Sequence, residues 1–492
     1  MTGIVSYGGY IPKLRLNRMQ IFQAMGWFAP AIMMVAQGER SVCNWDEDAL
    51  TMGVEAARDC LKGMDKSDIE ALYLCSTTLP FADRQNAGIV KTALNLRDNV
   101  LTADFTASLK AGTTGLITAF DAVAGGKKKV LVSATDHRIT KGAYFYEMWF
   151  GDGAGAVLVG SENVIAEYKG SYSTTHDFCD HYRGYGGKID YMWEERWTRD
   201  EGISKLVPEA INGLFKKLGI TMKDVDKVVF PCFFKAEQTG IPVKLGATPD
   251  KVIDNMHDVC GETGAAHSIV MLISALEQAK PGDKILVVSF GNGCDAILLQ
   301  VTENITKLPA RRSIKGCLAE KRKVLNYEKY AKFRDLIQVE MGIRAEAEGR
   351  TAMTALWRKR KMVTGLVGGK CRKCGTPQWP QPQICVNPDC RAINEFDEYE
   401  FSEKSGKVVT WTADMLAIST EPPSIYGLIQ FDEGGRMLLD LTDCEQKDVQ
   451  VGGQVVMSFR HRYHDEKRSD YHGYFWKAVP VKAKEEGKEA KK

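Results

Sequence analysis

The stretch DFTASLKAGTTGL, residues 104–116, decides how the fold is interpreted. An apolar run, VLTADFTA, enters a turn of small residues, and a helical pattern from Leu116 to Phe120 leaves it. A strand–turn–helix junction of this kind brings backbone N–H groups and the positive end of a helix to one place. A nucleophile there would be exposed and would have a lowered pKa, with oxyanion donors beside it. The turn instead carries Ser108, Leu109 and Lys110, and has no cysteine.

Length and composition indicate a globular chain of more than one domain. With 492 residues, 44% of them hydrophobic and 26% charged, two or three domains are expected. A net charge of +2 gives no reason to expect nucleic acid or a membrane surface as a partner. The longest apolar run, residues 28–36, is too short to span a bilayer, and the first residues do not resemble a signal peptide. Thirteen cysteines without a secreted-type framework favour a reducing cytoplasm.

The first two thirds of the chain repeat one α/β unit. The first copy has a helical pattern at residues 54–61 and a strand at 69–75, and the second copy has them at 209–216 and 225–230. Each copy then continues through a small-residue turn, a helix and a strand that is basic at its start and apolar afterwards. Because the strands are apolar runs between helices, the pattern predicts a buried, largely parallel sheet.

The motifs D-x-x-x-x-(Cys)-x-A-G-T and GDGAGAVLV (Gly151–Val159) resemble those of the thiolase superfamily. Within it, the chain most resembles the hydroxymethylglutaryl-CoA synthase-like branch, over roughly the first two thirds of its length. The resemblance implies a duplicated thiolase-like α/β/α/β/α fold, and chemistry that joins or cleaves carbon–carbon bonds next to a CoA thioester. Coenzyme A would then be part of the substrate.

The resemblance also implies a catalytic Glu, Cys and His, and this sequence has none of the three at the corresponding positions. The glutamate would fall near Thr77, the cysteine at Leu109 and the histidine near Phe230–Pro231. No synthase catalytic residue can therefore be carried over to this chain.

Other residues are candidates for catalysis. Glu262 stands in the turn Gly261–Ala266, at the position where relatives carry a catalytic Asn or His. In an apolar cleft its carboxylate would have a raised pKa and could act as a base, and the alternative is that it caps the following helix. The further candidates are Ser108 in the first-half turn, Cys232 after the second-half strand, His257 before the Glu262 turn and Tyr146 before GDGAGAV.

The resemblance further assigns residues to CoA binding. Lys235 follows the position where relatives contact the CoA tail, and Gly291 and Gly293 match a family loop that lines the active site. Residues 171–200 are aromatic and charged and fit neither repeat, so we expect a surface insertion over a substrate cleft.

Two cysteine pairs predict a metal site in the last third. Cys371 and Cys374 precede Cys385 and Cys390, and a short loop separates the pairs. Four thiolates in paired spacing suit a tetrahedral Zn²⁺ site, which has no open position and is therefore structural.

Short alternating strands separated by glycine turns follow the cysteines and predict a small barrel. A zinc ribbon followed by an oligonucleotide-binding (OB) fold barrel resembles the DUF35 family, whose modules accompany thiolase-like proteins. The predicted organisation begins with a first thiolase-like half (1–165), a second half with its insertion (166–302) and a connector with a docking helix (303–363). A zinc ribbon (364–398), an OB-fold barrel (399–482) and a disordered tail (483–492) follow.

Three functions are consistent with the sequence. The first is an acyltransferase or synthase acting on a CoA thioester without the usual cysteine. The second is a thiolase-fold aldolase or retro-aldolase, which needs no acyl-enzyme. The third is a non-catalytic scaffold for a thiolase-like partner subunit. A homodimer is expected from the resemblance, and because a long apolar sheet edge would otherwise be exposed.

Overall fold

A computed structural model describes residues 1–342, 350–465 and 468–481. The chain divides into two compact units, Met1–Val339 and Glu340–Lys492. This boundary lies inside the predicted connector at residues 303–363, while the predicted tail at 483–492 lies outside the described residues.

The elements of the first unit alternate between strands and helices. Its strands are β1 (Gly3–Tyr10), β2 (Leu14–Asn17), β3 (Glu39–Val42), β4 (Ile69–Cys75), β5 (Leu101–Phe105), β6 (Lys129–Asp136), β7 (Gly153–Gly160), β8 (Ala166–Thr175), β9 (His181–Tyr182), β10 (Tyr191–Met192), β11 (Lys227–Val229), β12 (Lys284–Phe290), β13 (Gly293–Val301) and β14 (Arg322–Lys323). Its α-helices are α1 (Arg18–Met25), α2 (Ala49–Leu61), α3 (Asn86–Ala93), α4 (Ala111–Ala124), α5 (Phe145–Trp149), α6 (Glu195–Trp197), α7 (Ser204–Leu218), α8 (Lys235–Lys244), α9 (His267–Leu276), α10 (Ser313–Ala319) and α11 (Tyr327–Phe333).

A nine-stranded sheet runs through the described part of this unit in the order β11-β12-β13-β8-β1-β7-β6-β4-β5. It consists of two related halves, which a short ladder joins where Gly3 and Ile4 of β1 pair with Glu167 and Ala166 of β8. The duplicated α/β unit that the sequence predicts is therefore confirmed: α2, β4, α4, β6 and β7 correspond in order to α7, β11, α9, β12 and β13.

The prediction of a largely parallel sheet is wrong. The pairs β4–β5, β4–β6 and β11–β12 are parallel, whereas β1–β7, β1–β8, β6–β7, β12–β13 and β8–β13 are antiparallel. The central strands are buried on both faces whatever their direction, so their apolar runs do not distinguish the two pairings.

Helices α4 and α9 lie in the core between the two half-sheets. Apolar side chains of both helices, among them Phe120 and Ile269, share one buried cluster with strand residues of both halves, such as Val132 and Val287. The small residues of α4 permit this packing, because a Cβ on Gly112 would overlap the carbonyl oxygen of Ala265. The two turns that carry the candidate residues are thereby held against each other.

The part of the predicted connector before the boundary is structured. Strand β14 pairs in parallel with β2, and α11 contributes Tyr330 and Ala331 to a second buried cluster that also contains Met148. The docking helix expected within the connector corresponds to α11, which ends at Phe333 and packs against protein.

The second unit combines a small ribbon with an antiparallel barrel. Its helices are α12 (Met353–Arg358) and α13 (Arg360–Val363), and its strands are β15 (Val367–Cys371), β16 (Pro377–Gln378), β17 (Phe396–Glu400), β18 (Ser405–Asp414), β19 (Ser424–Phe431), β20 (Arg436–Asp440), β21 (Gln454–Asp465) and β22 (Tyr471–Pro480). The ribbon sheet has the order β16-β15-β17, and the larger sheet has the order β20-β19-β18-β21-β22. A bridge between Leu441 and Ala478 connects the end of β20 with β22, which curls the sheet into the predicted barrel.

Among the described residues, we find no helix with the length and apolar character required to cross a membrane.

Candidate active site

The turn before α4 has the predicted strand–turn–helix geometry. Strand β5 ends at Phe105 and α4 begins at Ala111, and the Leu109 side chain between them is buried. The ammonium group of Lys110 lies 3.0 Å from Oδ1 of Asp295, whose Oδ2 accepts hydrogen bonds from Thr113 and Thr114. This buried pair fixes the first turn of α4 to strand β13.

The glycine loop at the start of β13 packs directly on the same turn. Ser108 Oγ donates a hydrogen bond of 2.8 Å to the carbonyl of Gly291. A Cβ on Gly291 would lie 2.9 Å from the backbone nitrogen of Leu109, so no side chain fits at this position. The structure therefore brings Ser108 and Gly291 together, with Gly293 at the first position of β13.

The carboxylate of Glu262 belongs to a second polar group, centred on Arg138. Glu262 Oε2 lies 3.3 Å from Nη1 of Arg138, and Asp190 Oδ2 lies 2.8 Å from Nε of the same guanidinium. The guanidinium also stacks 4.0 Å from the ring centre of Phe150. Burial raises the pKa of Glu262 to about 7, against the lowering effect of Arg138. A buried carboxylate that changes its charge near neutral pH can take up a proton and release it again.

Asp136, at the end of β6, links this group to the segment after β4. Its carboxylate accepts hydrogen bonds from the hydroxyl of Ser76 at 2.8 Å, from the backbone and hydroxyl of Thr77 and from the backbone of Ala265 at 2.7 Å. Thr77, which stands where the resemblance places the synthase glutamate, is thus bound within the polar group next to the Glu262 turn.

The inserted segment contributes to the site as a hairpin. Strands β9 and β10 pair, Arg183 forms an ion pair with Asp190, and Arg183 also donates to the carbonyl of Thr77. Asp190 is buried, and Arg138 and Arg183 lower its pKa although burial alone would raise it. The predicted boundaries of the insertion need a correction, because residues 171–175 form the end of β8 and pair with β13.

Phe233 lies at the centre of an aromatic cluster that contains Tyr146 and His257. The ring of Phe233 lies 5.7 Å from Tyr146, 6.1 Å from Phe150 and 6.2 Å from His257, measured between ring centres. Tyr146 and His257 are buried, and burial raises the pKa of Tyr146 and lowers that of His257. Nε2 of His257 is buried and has no hydrogen-bond partner among the described residues. Burial also raises the pKa of Cys232, the neighbour of Phe233, to about 12.

Lys235 lies apart from these groups. It begins helix α8, its side chain is exposed, and its ammonium group pairs with Asp258 at 2.9 Å. The structure therefore brings together Glu262, Tyr146, His257 and Cys232 around aromatic rings, and Ser108 with Gly291 at the start of α4, and leaves Lys235 on the surface.

Arg138, Asp190 and Arg183 were not predicted from the sequence. Arg138 follows the buried strand β6 directly, and a charged residue at the end of an apolar strand was a usable signal. Asp190 and Arg183 could not be assigned to the site, because the contacts that bring them there are with Arg138 and Thr77, which lie 52 and 106 residues away in the chain.

The four predicted zinc ligands converge in the second unit. The sulfur atoms of Cys371, Cys374, Cys385 and Cys390 all lie within 4.8 Å of one another. The pair Cys374–Cys385 is 3.5 Å apart and Cys371–Cys390 is 3.8 Å apart. Separations of this size fit four thiolates around one tetrahedral metal ion.

Comparisons with known proteins identify the first unit. The chain is 31% identical to the hydroxymethylglutaryl-CoA synthase of Methanocaldococcus jannaschii over 346 residues, which cover 69% of this chain and 100% of the relative. It is also 31% identical to the enzyme of the same name from Caldivirga maquilingensis, over 349 residues that cover 69% of this chain and 99% of the relative. The chain belongs to the hydroxymethylglutaryl-CoA synthase family. The thiolase-type fold expected from the sequence is thereby confirmed.

Family models and solved structures agree with the fold of each part. Residues 215–301 match the C-terminal part of 3-oxoacyl-[acyl-carrier-protein] synthase III, and residues 399–460 match the C-terminal OB-fold domain of ChsH2. A crystal structure of HMG-CoA synthase complexed with CoA superposes with a TM-score of 0.60 at 17% identity, covering 70% of this chain and 92% of that one. The HMG synthase of the curacin biosynthetic pathway gives a TM-score of 0.60 at 19% identity, covering 68% and 88%. This synthase-family chain therefore carries an additional OB-fold module.

Proposed function

We propose that the first unit makes or breaks a carbon–carbon bond next to a CoA thioester without forming an acyl-enzyme. Two kinds of evidence support the substrate class: relatives at 31% identity are named hydroxymethylglutaryl-CoA synthase, and a structure with the same fold is described as a complex with CoA. The chemistry is that of an acyltransferase or synthase in the broad sense, with a carbanion equivalent generated next to the thioester.

The observation that carries the proposal is that one turn has an unreactive side chain, Leu109, while the opposing turn has a carboxylate that titrates near neutral pH, Glu262. Leu109 occupies the turn where an acyl-accepting thiol would stand, and a leucine side chain cannot form a thioester. Glu262 on the opposing turn is buried and has its pKa raised to about 7. The thioester would therefore be bound non-covalently, and a carboxylate would act on it directly.

In the proposed step, the ionised carboxylate of Glu262 removes a proton from the carbon next to the thioester carbonyl. The C–H bond breaks, its electron pair forms the enolate, and the proton stays on Glu262. The enolate carbon then attacks the carbonyl carbon of the second reactant, the π bond of that carbonyl breaks, and its oxygen takes up the proton held by Glu262. Bond cleavage runs through the same steps in reverse. A positioned base of this kind contributes on the order of 10²–10⁴ to the rate.

Arg138 is suited to stabilise the enolate because of how its charge is shared. In the resting state its guanidinium faces two carboxylates, those of Glu262 and Asp190. When Glu262 takes up a proton it becomes neutral, so Arg138 retains a single negative partner at the moment when charge appears on the substrate. Fixed cations beside developing negative charge are among the largest contributions to catalysis.

The remaining candidates take supporting places in this proposal. Cys232 is not an alternative nucleophile at neutral pH, because a thiol with a pKa of about 12 stays protonated. Tyr146 and His257 are buried against Phe233 and would line the apolar side of the site. Gly291 permits the close packing of its loop on the Ser108–Lys110 turn, and Lys235 would meet the phosphates of CoA at the surface.

The test measures proton exchange, which needs no knowledge of the second reactant. We expect the purified protein to exchange the α-protons of acetyl-CoA with deuterium from D₂O, and expect Glu262→Gln to lower this rate on the order of a hundredfold or more while CoA binding survives. Glu277→Gln is the matched control, since Glu277 also has a pKa raised by burial but contacts the backbone of Lys315, which is remote in sequence from the turn. Equal rates for Glu262→Gln and the parent protein would refute the assignment of the base.

Intact mass spectrometry after incubation with labelled acetyl-CoA tests the absence of an acyl-enzyme. We expect no added acetyl mass. An adduct on Cys232 or Cys75 would overturn the non-covalent mechanism and place the nucleophile elsewhere.

An aldolase or retro-aldolase is the second candidate, and Leu109 favours it because aldol chemistry uses an enolate without acyl transfer. Release of free CoA during turnover indicates a synthase, whereas turnover that keeps the thioester intact indicates an aldolase. A protein that binds CoA yet neither exchanges α-protons nor turns over any thioester would be a scaffold for a thiolase-like partner subunit.

We also propose that the ribbon of the second unit holds one structural zinc ion. The four convergent sulfur atoms described above fit this ion, and they leave no open coordination position. Its role would be to fold the ribbon rather than to take part in the chemistry of the first unit.

A further inference from the structure

A cysteine, a histidine and an aspartate meet behind the polar group of Arg138. Cys43 follows strand β3, His137 follows β6, and Asp152 precedes β7. One ligand atom from each of the three residues lies within 4.8 Å of the other two. Three distant segments of the first unit thus bring a thiol, an imidazole and a carboxylate to one point.

The carboxylate of Asp152 is fixed by its surroundings on one side. Its Oδ2 accepts a hydrogen bond of 2.6 Å from the backbone of Cys43 and forms an ion pair with Arg334. Asp152 is completely buried, and the Arg334 guanidinium lowers its pKa although burial opposes this. Metal-binding carboxylates are commonly oriented in this way by a second shell of donors.

Two acceptor atoms in the cluster lack partners. Oδ1 of Asp152 and Nε2 of His137 are buried, and neither has a hydrogen-bond partner among the described residues. The Cys43 thiol lies 3.5 Å from the Met52 sulfur, which is a weak interaction. A buried polar atom left unpaired is costly, so we expect a further group to bridge these atoms. A water molecule or a cation can do so.

We propose that Cys43, His137 and Asp152 bind a Zn²⁺ ion in the first unit. One sulfur, one nitrogen and one oxygen ligand form a donor set that suits this borderline-soft ion, and three protein ligands leave a fourth position for water. That water can accept a hydrogen bond from Nη1 of Arg334, which also has no partner among the described residues. The two negative ligands balance the ion, and Arg334, which pairs with Asp152, would lie beside the site.

The same three residues do not make a catalytic triad. Burial and the nearby Asp152 raise the pKa of the Cys43 thiol well above its ordinary value, so the free thiol is inert. A divalent ion would reverse this, because coordination deprotonates a thiol outright.

The position of His137 indicates what the ion would do. His137 stands between Asp136 and Arg138, and both neighbours belong to the polar group of the candidate active site. A metal ion bound to His137 would hold this segment of backbone to β3 and β7. The site would therefore stabilise the support of Arg138 and take no part in the reaction.

The test counts zinc in the full chain. The purified protein is loaded with Zn²⁺, freed of excess ion by dialysis and examined by elemental analysis. We expect two zinc ions per chain, one in the ribbon and one in this cluster. X-ray absorption at the zinc edge is expected to show nitrogen or oxygen ligands besides sulfur. One zinc ion per chain with a shell of sulfur alone would overturn the proposal and assign water to the cluster.

Variants locate the second ion. His137→Gln is expected to lower the count from two to one with unchanged circular dichroism, and Cys43→Ala to do the same. Cys317→Ala is the matched control, because Cys317 is equally buried in the first unit but lies outside the cluster. A count that stays at two in both His137→Gln and Cys43→Ala would refute the proposed ligands. The count does not depend on activity, so its failure is separate from failure of the proposed reaction.

Discussion

Arg138 is the residue on which the candidate site depends, since a single buried guanidinium is shared by Glu262 and Asp190. Without Arg138, burial would hold the pKa of Glu262 higher still. The position of the titration near neutral pH is thus a balance between desolvation and one neighbouring charge. Both the burial of Glu262 and the charge of Arg138 can be changed by substitution.

The proton exchange described above should depend on pH in a defined direction. Glu262 must be ionised to act as a base, and with its pKa raised to about 7 the ionised fraction increases as the pH rises through that value. We expect the exchange rate to be low at pH 5, to rise through about pH 7 and to level off above it. A profile that is flat between pH 5 and 9 would contradict the assignment.

The contribution of Arg138 is tested with the double variant Arg138→Gln/Asp190→Asn, which also removes the ion-pair partner of Arg183. Removing both members of the pair avoids leaving one of these buried charges without the other. Because Arg138 lowers the pKa of Glu262, the rise in exchange rate should move to a higher pH in the double variant. An unchanged midpoint would mean that Arg138 has no electrostatic influence on the base.

At this scale the sequence indicated Glu262 as a candidate but did not indicate its partners. Glu262 was visible because glycines on both sides of it matched a family turn. The ion pairs of Arg138 depend on which distant segments fold together, and no local pattern records that. The buried states of His257 and Tyr146 were equally beyond what residue spacing can indicate.

The β9–β10 hairpin is an element that one carboxylate holds in place. Asp190 binds Arg138 from one side and Arg183 from the other, and all three groups are at least largely buried. Breaking a buried ion pair by removing one partner costs about 3–5 kcal/mol. The hairpin should therefore loosen when Asp190 loses its charge.

We expect Asp190→Asn to increase hydrogen exchange in residues 176–192 and to leave exchange in β12 and β13 unchanged. Asp200→Asn is the control, since Asp200 pairs with Arg199 at an exposed position. Equal protection of the hairpin in Asp190→Asn and the parent protein would show that the ion pairs are not what holds it.

The ribbon is a second element whose folding we expect to depend on one group, its proposed zinc ion. Cys385→Ser removes one of four convergent sulfur ligands and should lower the zinc content by one ion per chain. Limited proteolysis should then cleave within residues 364–398, while the first unit, which is compact by itself, remains resistant. An unchanged zinc content would contradict the four-thiolate site.

The positions of helices and strands were predicted better than the direction in which neighbouring strands pair. The helices and strands of both copies were found because apolar periodicity follows directly from burial, and the five barrel strands were found because alternation and glycine turns mark their ends. Strand direction was missed, because a strand covered on both faces has the same composition in parallel and antiparallel ladders.

For the whole molecule, an edge of the large sheet that is unpaired within the described chain bears on whether two chains associate. Strand β5 is an outer strand of the nine-stranded sheet in the described chain, and Leu101 at its start is about half exposed. Unpaired edge strands favour association, so we expect a homodimer through this edge. Light scattering should give twice the chain mass at micromolar concentration, and Leu101→Lys should shift the mass towards the monomer. A monomeric parent protein would count against this.

The replacement of a thiol by Leu109 has a further consequence for the chain's resistance to chemical damage. A cysteine at a helix N-terminus reacts readily with peroxide and alkylating agents for the same reason that it accepts acyl groups, namely its thiolate character. Leu109 offers such reagents nothing, and Cys232 is buried with its thiol protonated. With Glu262 as its base and Leu109 in place of a thiol, the proposed site has no catalytic cysteine to oxidise, so it would keep its base under oxidising stress that inactivates a thiol-dependent relative.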